Sequence, residues 1–148
     1  MSGALLTYDF RGLDAVQKRI NRLAKMHWPG LLDVVGATVE LQTRRRIEDE
    51  KTNPQGVAWP AWSEDYSAKR PEGRTLLMNE DHLLDSITFI RDGSKGVKVG
   101  SNMIYAATHQ YGDEDRNIPT RAYLGVSEDN EKDLIDAIDE YLDGVING

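Results

Sequence analysis

The sequence predicts an α+β fold, a small antiparallel β-sheet packed with N-terminal and C-terminal helices. Three observations carry this. "SITFIRD" at 86–92 and "GVKVGS" at 96–101 alternate as strands do, and "DGSKG" between them is rich in turn residues. Apolar residues recur at three- and four-residue spacing near both ends of the chain. Between the first helices and the hairpin lies a stretch rich in proline, glycine and tryptophan, with no clear period.

Taken in order, residues 11–26 read as a helix. Leu13, Val16, Ile20 and Leu23 form its stripe, and "HWPG" interrupts it because Pro29 disfavours the α region at Trp28. Residues 30–50 read as a second helix, with Leu31, Leu32, Val35, Val39 and Ile47 on one face. It ends in "RRRIEDE", where Arg44–Glu48, Arg45–Asp49 and Arg46–Glu50 stand four apart and can pair. Their order opposes the helix dipole, so the three arginines are expected to be solvated. Residues 51–75 read as a long irregular loop, mobile or functional, bearing Trp59 and Trp62. These rings either pin the loop to the core or dock a partner.

"LLMNEDHLLDS" at 76–86 suggests a short helix, and the hairpin follows with Ile87, Phe89, Val97 and Val99 as its apolar set. "MIYAATHQYG" reads as a helix of two to three turns ended by Gly112. "DEDRNIPT" is a loop and "RAYLGVS" a short β-prone segment. Ser127 can cap a last helix, with Glu128 and Asp129 in its acid-favouring first turn. Leu134, Ile138, Tyr141, Leu142 and Val145 form that helix's apolar face. The 148 residues are expected to make one domain. It comprises a helical part at 11–50, the loop at 51–75, and a core with its acidic helix at 76–148.

Charge is unevenly distributed. Residues 122–148 carry 8 acids against Lys132, while the rest of the chain balances at 17 of each sign. A neutral body with one acidic helix argues against general nucleic-acid binding. No apolar run approaches the roughly 20 residues of a membrane span. The N-terminus "MSGALLTYDFRG" has neither a basic region nor a long apolar one, so no signal peptide is expected. The absence of cysteine excludes disulfides and thiol chemistry and fits a reducing cytoplasm.

The chemistry-bearing residues give weak patterns. "EDHLLD" places Glu80, Asp81, His82 and Asp85 together, with His82 and Asp85 three apart, as a metal site could. His109 has Thr108 beside it in sequence but on another helix face, so a nucleophile pair is not formed. It is expected to be a partly buried group bonded to backbone. Arg44, Arg45 and Arg46 with the tryptophans could stack single-stranded nucleic acid. The expectation is a protein with no catalytic residue, metal or cofactor. The alternatives are a small metal-dependent hydrolase using His82 or His109, or a nucleic-acid module using Arg44–Arg46.

Four ordered blocks carry a family resemblance. "NPQGVAWPAWS" supplies Pro54, Gly56 and Trp59; "LLMNEDHLLDSITF" supplies Leu83, Leu84 and Ser86. "GVKVGSNMIYAATHQYG" supplies Val99, Gly100, Tyr105, Ala106, His109, Gln110 and Gly112. "IPTRAYLGVS" supplies Ile118, Pro119, Arg121, Tyr123, Leu124 and Gly125. In this order they resemble the virion morphogenesis and tail completion proteins of Mu-like phages and related tailed prophages. The chain departs from that pattern at "NEDHLL", where the family tends to place a glycine before the leucine. The resemblance implies a structural assembly protein without catalysis, acting in tail completion or head–tail joining at the neck or tail-tube end. It implies tail-tube, terminator and head–tail connector proteins as partners, self-association with a ring as one form, and no membrane or specific nucleic acid. It implies the bacterial host cytoplasm, or the neck or tail end of the virion, as location. Interface candidates are Arg44, Arg45, Arg46, Trp59, Trp62 and Tyr66 in the first half of the chain. In the second half they are Tyr105, His109, Tyr111, Arg121 and Tyr123.

Overall fold

The expected hairpin sits within a three-stranded antiparallel sheet. The computed structural model describes residues 4–9, 28–69, 75–78, 82–93 and 96–147. Its strands are β1 (Ala4–Asp9), β2 (Thr88–Arg91) and β3 (Gly96–Ser101), in the order β1-β3-β2. Phe89 pairs with Val99 and Arg91 with Val97, while Leu6 pairs with Val99 from the other side. Val97, Val99 and Ile87 are fully buried. Each such side chain contributes about 1.5–3 kcal/mol by leaving water. The fold class is therefore α+β, as read. Strand β1 was not foreseen, and the helix expected over 11–26 lies outside the described residues.

Helix α1 (Trp28–Arg45) lies against β2, β3 and the last helix. Its start includes Pro29, which the first turn tolerates because that N–H has no intrahelical partner. The expected stripe of Leu31, Leu32, Val35, Val39 and Ile47 is buried throughout. Gly36 lets the ring of Phe89 approach the helix backbone, where a Cβ would collide with it.

The end of α1 differs from the expectation. Residues Arg46–Glu50 form a π-helical turn, closed by the Lys51 amide on the Arg46 carbonyl at 2.9 Å. This wider turn moves residues four apart out of line. Arg44 instead pairs backward with Glu40 at 3.4 Å, and none of the three expected pairs is among the ion pairs of the described residues. The solvated reading of the arginines is corrected as well. Only Arg45 is exposed, Arg44 is half-buried, and Arg46 is buried at 1% exposure.

The stretch expected to be an irregular loop is structured where described. Asn53 Oδ1 accepts the amides of Gln55 and Val57, and Thr52 bridges Ala58. Helix α2 (Glu64–Lys69) follows. Lys51 Nζ then ties the end of the π-turn to Thr75 Oγ1 and the Leu76 carbonyl. Helix α3 (His82–Ser86) is shorter than the helix expected over 76–86, because Thr75–Met78 forms a bridged turn.

Helix α4 (Ala106–Tyr111) has six residues, fewer than the two to three turns expected. Gly112 ends it at φ 75°. A Cβ there would lie 2.8 Å from Thr120 Oγ1, so both the conformation and the space require glycine. "RAYLGVS" is not a strand. Its polar backbone is satisfied by side chains, as set out below.

Helix α5 (Glu128–Asn147) starts where expected. Ser127 Oγ accepts the Asn130 amide at 3.0 Å, and Asn130 Oδ1 accepts the Ser127 amide at 3.1 Å. This reciprocal pair follows capping-box logic, with asparagine in the place usually held by Glu or Gln. Leu134, Ile138 and Leu142 are buried and Tyr141 half-buried; the side chain of Val145 lies outside the described ones. Among the described residues no helix is long and apolar enough to cross a membrane.

Candidate functional site

The corner formed by α4 and residues 113–127 gathers most of the sequence candidates. Its inner side is a latch of side chains on backbone. Gln110 Oε1 accepts the amides of both Tyr123 and Leu124 at 3.0 Å, and its Nε2 donates to the Leu124 carbonyl at 3.3 Å. The His109 carbonyl accepts the Arg121 amide at 2.8 Å. Tyr123 Oη donates to the Ala106 carbonyl at 2.8 Å, so both ends of α4 are fixed to this segment. Burial pushes the Tyr123 phenol up, keeping it a neutral donor.

Two long-range groups complete the latch. Trp59 Nε1 donates to the Ala122 carbonyl at 2.8 Å, and the ring is 6% exposed. Of the two roles weighed for the tryptophans, Trp59 takes the pinning one. Arg46 Nη1 donates to the Tyr123 carbonyl at 2.6 Å, and its Nη2 to Asn130 Oδ1 at 2.6 Å. Burial lowers the Arg46 pKa and nearby Glu50 opposes that shift.

The outer side of the corner is a cavity of about 900 Å3. Trp62, Tyr66, Tyr105, His109, Arg121 and His82 all line it. Trp62 and Tyr66 meet edge to face at 5.5 Å, and Tyr105 and His109 at 5.6 Å. Arg121 is 7% exposed and donates from Nε and Nη2 to the carbonyls of Pro60 and Ala61. His109 is partly buried as expected, but its ring departs from the expected backbone bond: Nδ1 is buried without a hydrogen-bond partner, while the backbone N–H donates to the Tyr105 carbonyl at 3.2 Å and the carbonyl accepts the Arg121 amide. Burial, then the Arg121 charge, hold its pKa below the usual histidine value.

The remaining candidates stand apart. Arg44 Nη2 donates to the Ile87 carbonyl at 2.7 Å, beside β2. Tyr111 is 67% exposed and lies outside the cavity lining. The sequence reading missed Gln110 and Asn130 as organising residues. Gln110 stands in the "HQYG" block, and the block itself was the signal.

The geometry forms no catalytic set among the described residues. Ser63 lines the cavity with both histidines, but its Oγ accepts the Tyr66 amide at 3.3 Å and bonds to neither histidine. Thr108 Oγ1 accepts from Arg116 Nη2 at 3.2 Å. No three His, Asp or Glu side chains among the described residues are placed to hold a metal. Glu80 and Asp81, part of the weak metal pattern, lie outside the described residues.

The polar side chains of this small α+β fold mainly fix its own loops. A family model described as the phage virion morphogenesis family matches residues 10–143. The chain belongs to that family, and its role is in phage assembly. It is 31% identical over 116 residues to "Putative capsid assembly protein G" of Escherichia phage Mu, covering 71% of this chain and 73% of the Mu protein. It is also 35% identical over 74 residues to an uncharacterised protein of Methanocaldococcus jannaschii, covering 46% of this chain and 55% of the archaeal one. No solved structure matches.

Proposed function

We propose that this protein is a non-catalytic component of tail completion, joining head and tail at the neck or tail-tube end. One observation carries the reading. Apart from His109 Nδ1, which has no hydrogen-bond partner, the buried polar groups of the α4 corner point at the chain's own carbonyls and amides, not at a common reacting atom. Such groups hold a surface in shape; catalysis needs them to converge on substrate. Family membership supports assembly in general, and the step at the tail is the finer part of the proposal. The partners are tail-tube or terminator proteins and head–tail connector proteins. Copies of the chain associate with one another, and heterologous contacts between them close a ring. The protein acts in the host cytoplasm during assembly, or at the neck or tail end of the virion.

Light scattering after size exclusion, followed by negative-stain imaging with purified tails and connectors, tests this. Self-association or a density cap on the tail end is expected. A strict monomer that binds neither tails nor connectors contradicts it.

A hydrolase reading draws on one observation, the shared cavity of Ser63, His82 and His109. It requires bound metal or a hydrolytic activity lost in His82→Gln. Metal-free, folded protein without such activity removes it.

A further inference from the structure

Arg121 is a buried cation with no ion-pair partner among the described residues. Its Nε and Nη2 reach the carbonyls of Pro60 and Ala61 at 2.8 and 3.0 Å, which satisfies hydrogens but not charge. Among the described residues no carboxylate forms an ion pair with it, and at 7% exposure water screens it poorly. A buried charge without a counter-charge is costly and is retained where something opposes the cost.

The surroundings of Arg121 are those of a recognition pocket. The cavity it lines, about 900 Å3, falls in the range of ligand sites. Trp62, Tyr66 and Ile118 give it apolar walls, and Tyr66 is still 40% exposed. Leu77 and Asn117, also in the lining, hold φ of 60° and 56°. For leucine this conformation is strained, and such strain concentrates at ligand clamps. Glu114 is the one acid among the described lining residues; it is exposed and is not paired with Arg121. The positive centre therefore lies buried in the wall, with aromatic surface beside it.

We infer that this cavity is a docking socket for an acidic peptide segment of a partner protein. One carboxylate of the segment meets Arg121, and an adjacent aromatic or aliphatic side chain packs on Trp62, Tyr66 and Ile118. The carboxylate chemistry follows from charge complementarity alone. The choice of a protein segment as its source rests on the assembly reading above.

The probe is N-acetyl-phenylalanine, with its neutral amide as control. Titration is followed by NMR at the Trp62 indole N–H, assigned with Trp62→Phe. The carboxylate is expected to bind saturably and about tenfold more tightly than the amide. Tyr66→Ala, on an exposed residue, is expected to weaken binding about tenfold while leaving the fold intact. Arg121→Lys keeps the charge and retains binding, and Arg121→Gln loses it. Equal binding of the amide, no shift at Trp62, or an unaffected Tyr66→Ala overturns the socket, even where Arg121→Gln does not fold. Dissociation of self-associated protein by the probe makes a second copy the occupant and overturns the partner source. None of these outcomes bears on whether the protein completes tails, which is read on tails directly.

Discussion

Arg46 and Tyr123 stand 77 residues apart in sequence, and the Arg46 guanidinium holds the Tyr123 carbonyl at 2.6 Å in the interior. The same guanidinium holds Asn130 Oδ1, the atom that also caps α5. One side chain thus joins the π-turn, the 121–127 segment and the last helix. Arg46→Ala is expected to cost about 3–5 kcal/mol, because it leaves buried acceptors without a donor. Urea denaturation measures this. A loss below about 0.5 kcal/mol would show that the latch does not bear on stability.

Gln110 separates acceptor from donor. Its Oε1 serves two amides at good distance, whereas its Nε2 makes one longer bond. Gln110→Ala is expected to cost about 2 kcal/mol, and Gln110→Glu, which keeps the acceptors, clearly less. Equal losses in the two variants, compared by thermal and urea unfolding, contradict the acceptor role.

Gly125 stands at φ 154°, and a Cβ there would lie 2.5 Å from Pro54 Cγ. Both effects act against a side chain, so Gly125→Ala is expected to destabilise by about 1–3 kcal/mol. Pairing it with Pro54→Ala should recover the steric part only. A fully additive double variant indicates that Pro54 is not the obstacle.

His109 carries a pH signature. Its folded pKa is held below the ordinary value of 6.5 by burial and then by Arg121. The unfolded chain therefore takes the proton first. The stabilisation is complete above about pH 6.5 and is lost as pH falls from there toward the folded pKa. Tyr105, His82, Glu114 and Tyr66 share the cavity with it, and Arg121 is the charge that shifts it. Asp33 and Asp113, both depressed by arginine partners, lose their contributions only below the ordinary carboxylate value of 3.8. Urea midpoints between about pH 8 and about pH 5 are expected to fall in the wild type. They should fall less in His109→Gln; parallel slopes assign the change to other groups.

Much of the frame was legible because its signals are local. Val97 and Val99 alternate with Lys98, and "DGSKG" supplies the turn, so β2 and β3 could be read directly. Ser127 and the spacing of Leu134, Ile138 and Leu142 announced α5. What escaped depended on distant partners. Arg46 reads as a surface residue beside two other arginines, and only Tyr123 and Asn130 explain its burial. "RAYLGVS" has β propensity, yet Gln110, Trp59 and Arg46 take the hydrogen bonds a neighbouring strand would have made. β1 is six residues long and finds its role only against β3. The cavity likewise joins α2, α3 and α4, which no single motif spans. His109 reads as a catalytic candidate in sequence, yet its ring packs on Tyr105 and the charge acting on it is the Arg121 cation.

Placement without turnover, as proposed, can be measured by titrating purified protein into extracts of cells producing a phage that lacks it. Joined particles are counted by electron microscopy and infectivity. The expected result is separate heads and tails without the protein, and a yield that rises in proportion to added protein until a fixed number of copies per particle is reached. Full yield from far fewer copies than particles, or normal joining with no protein added, would contradict it.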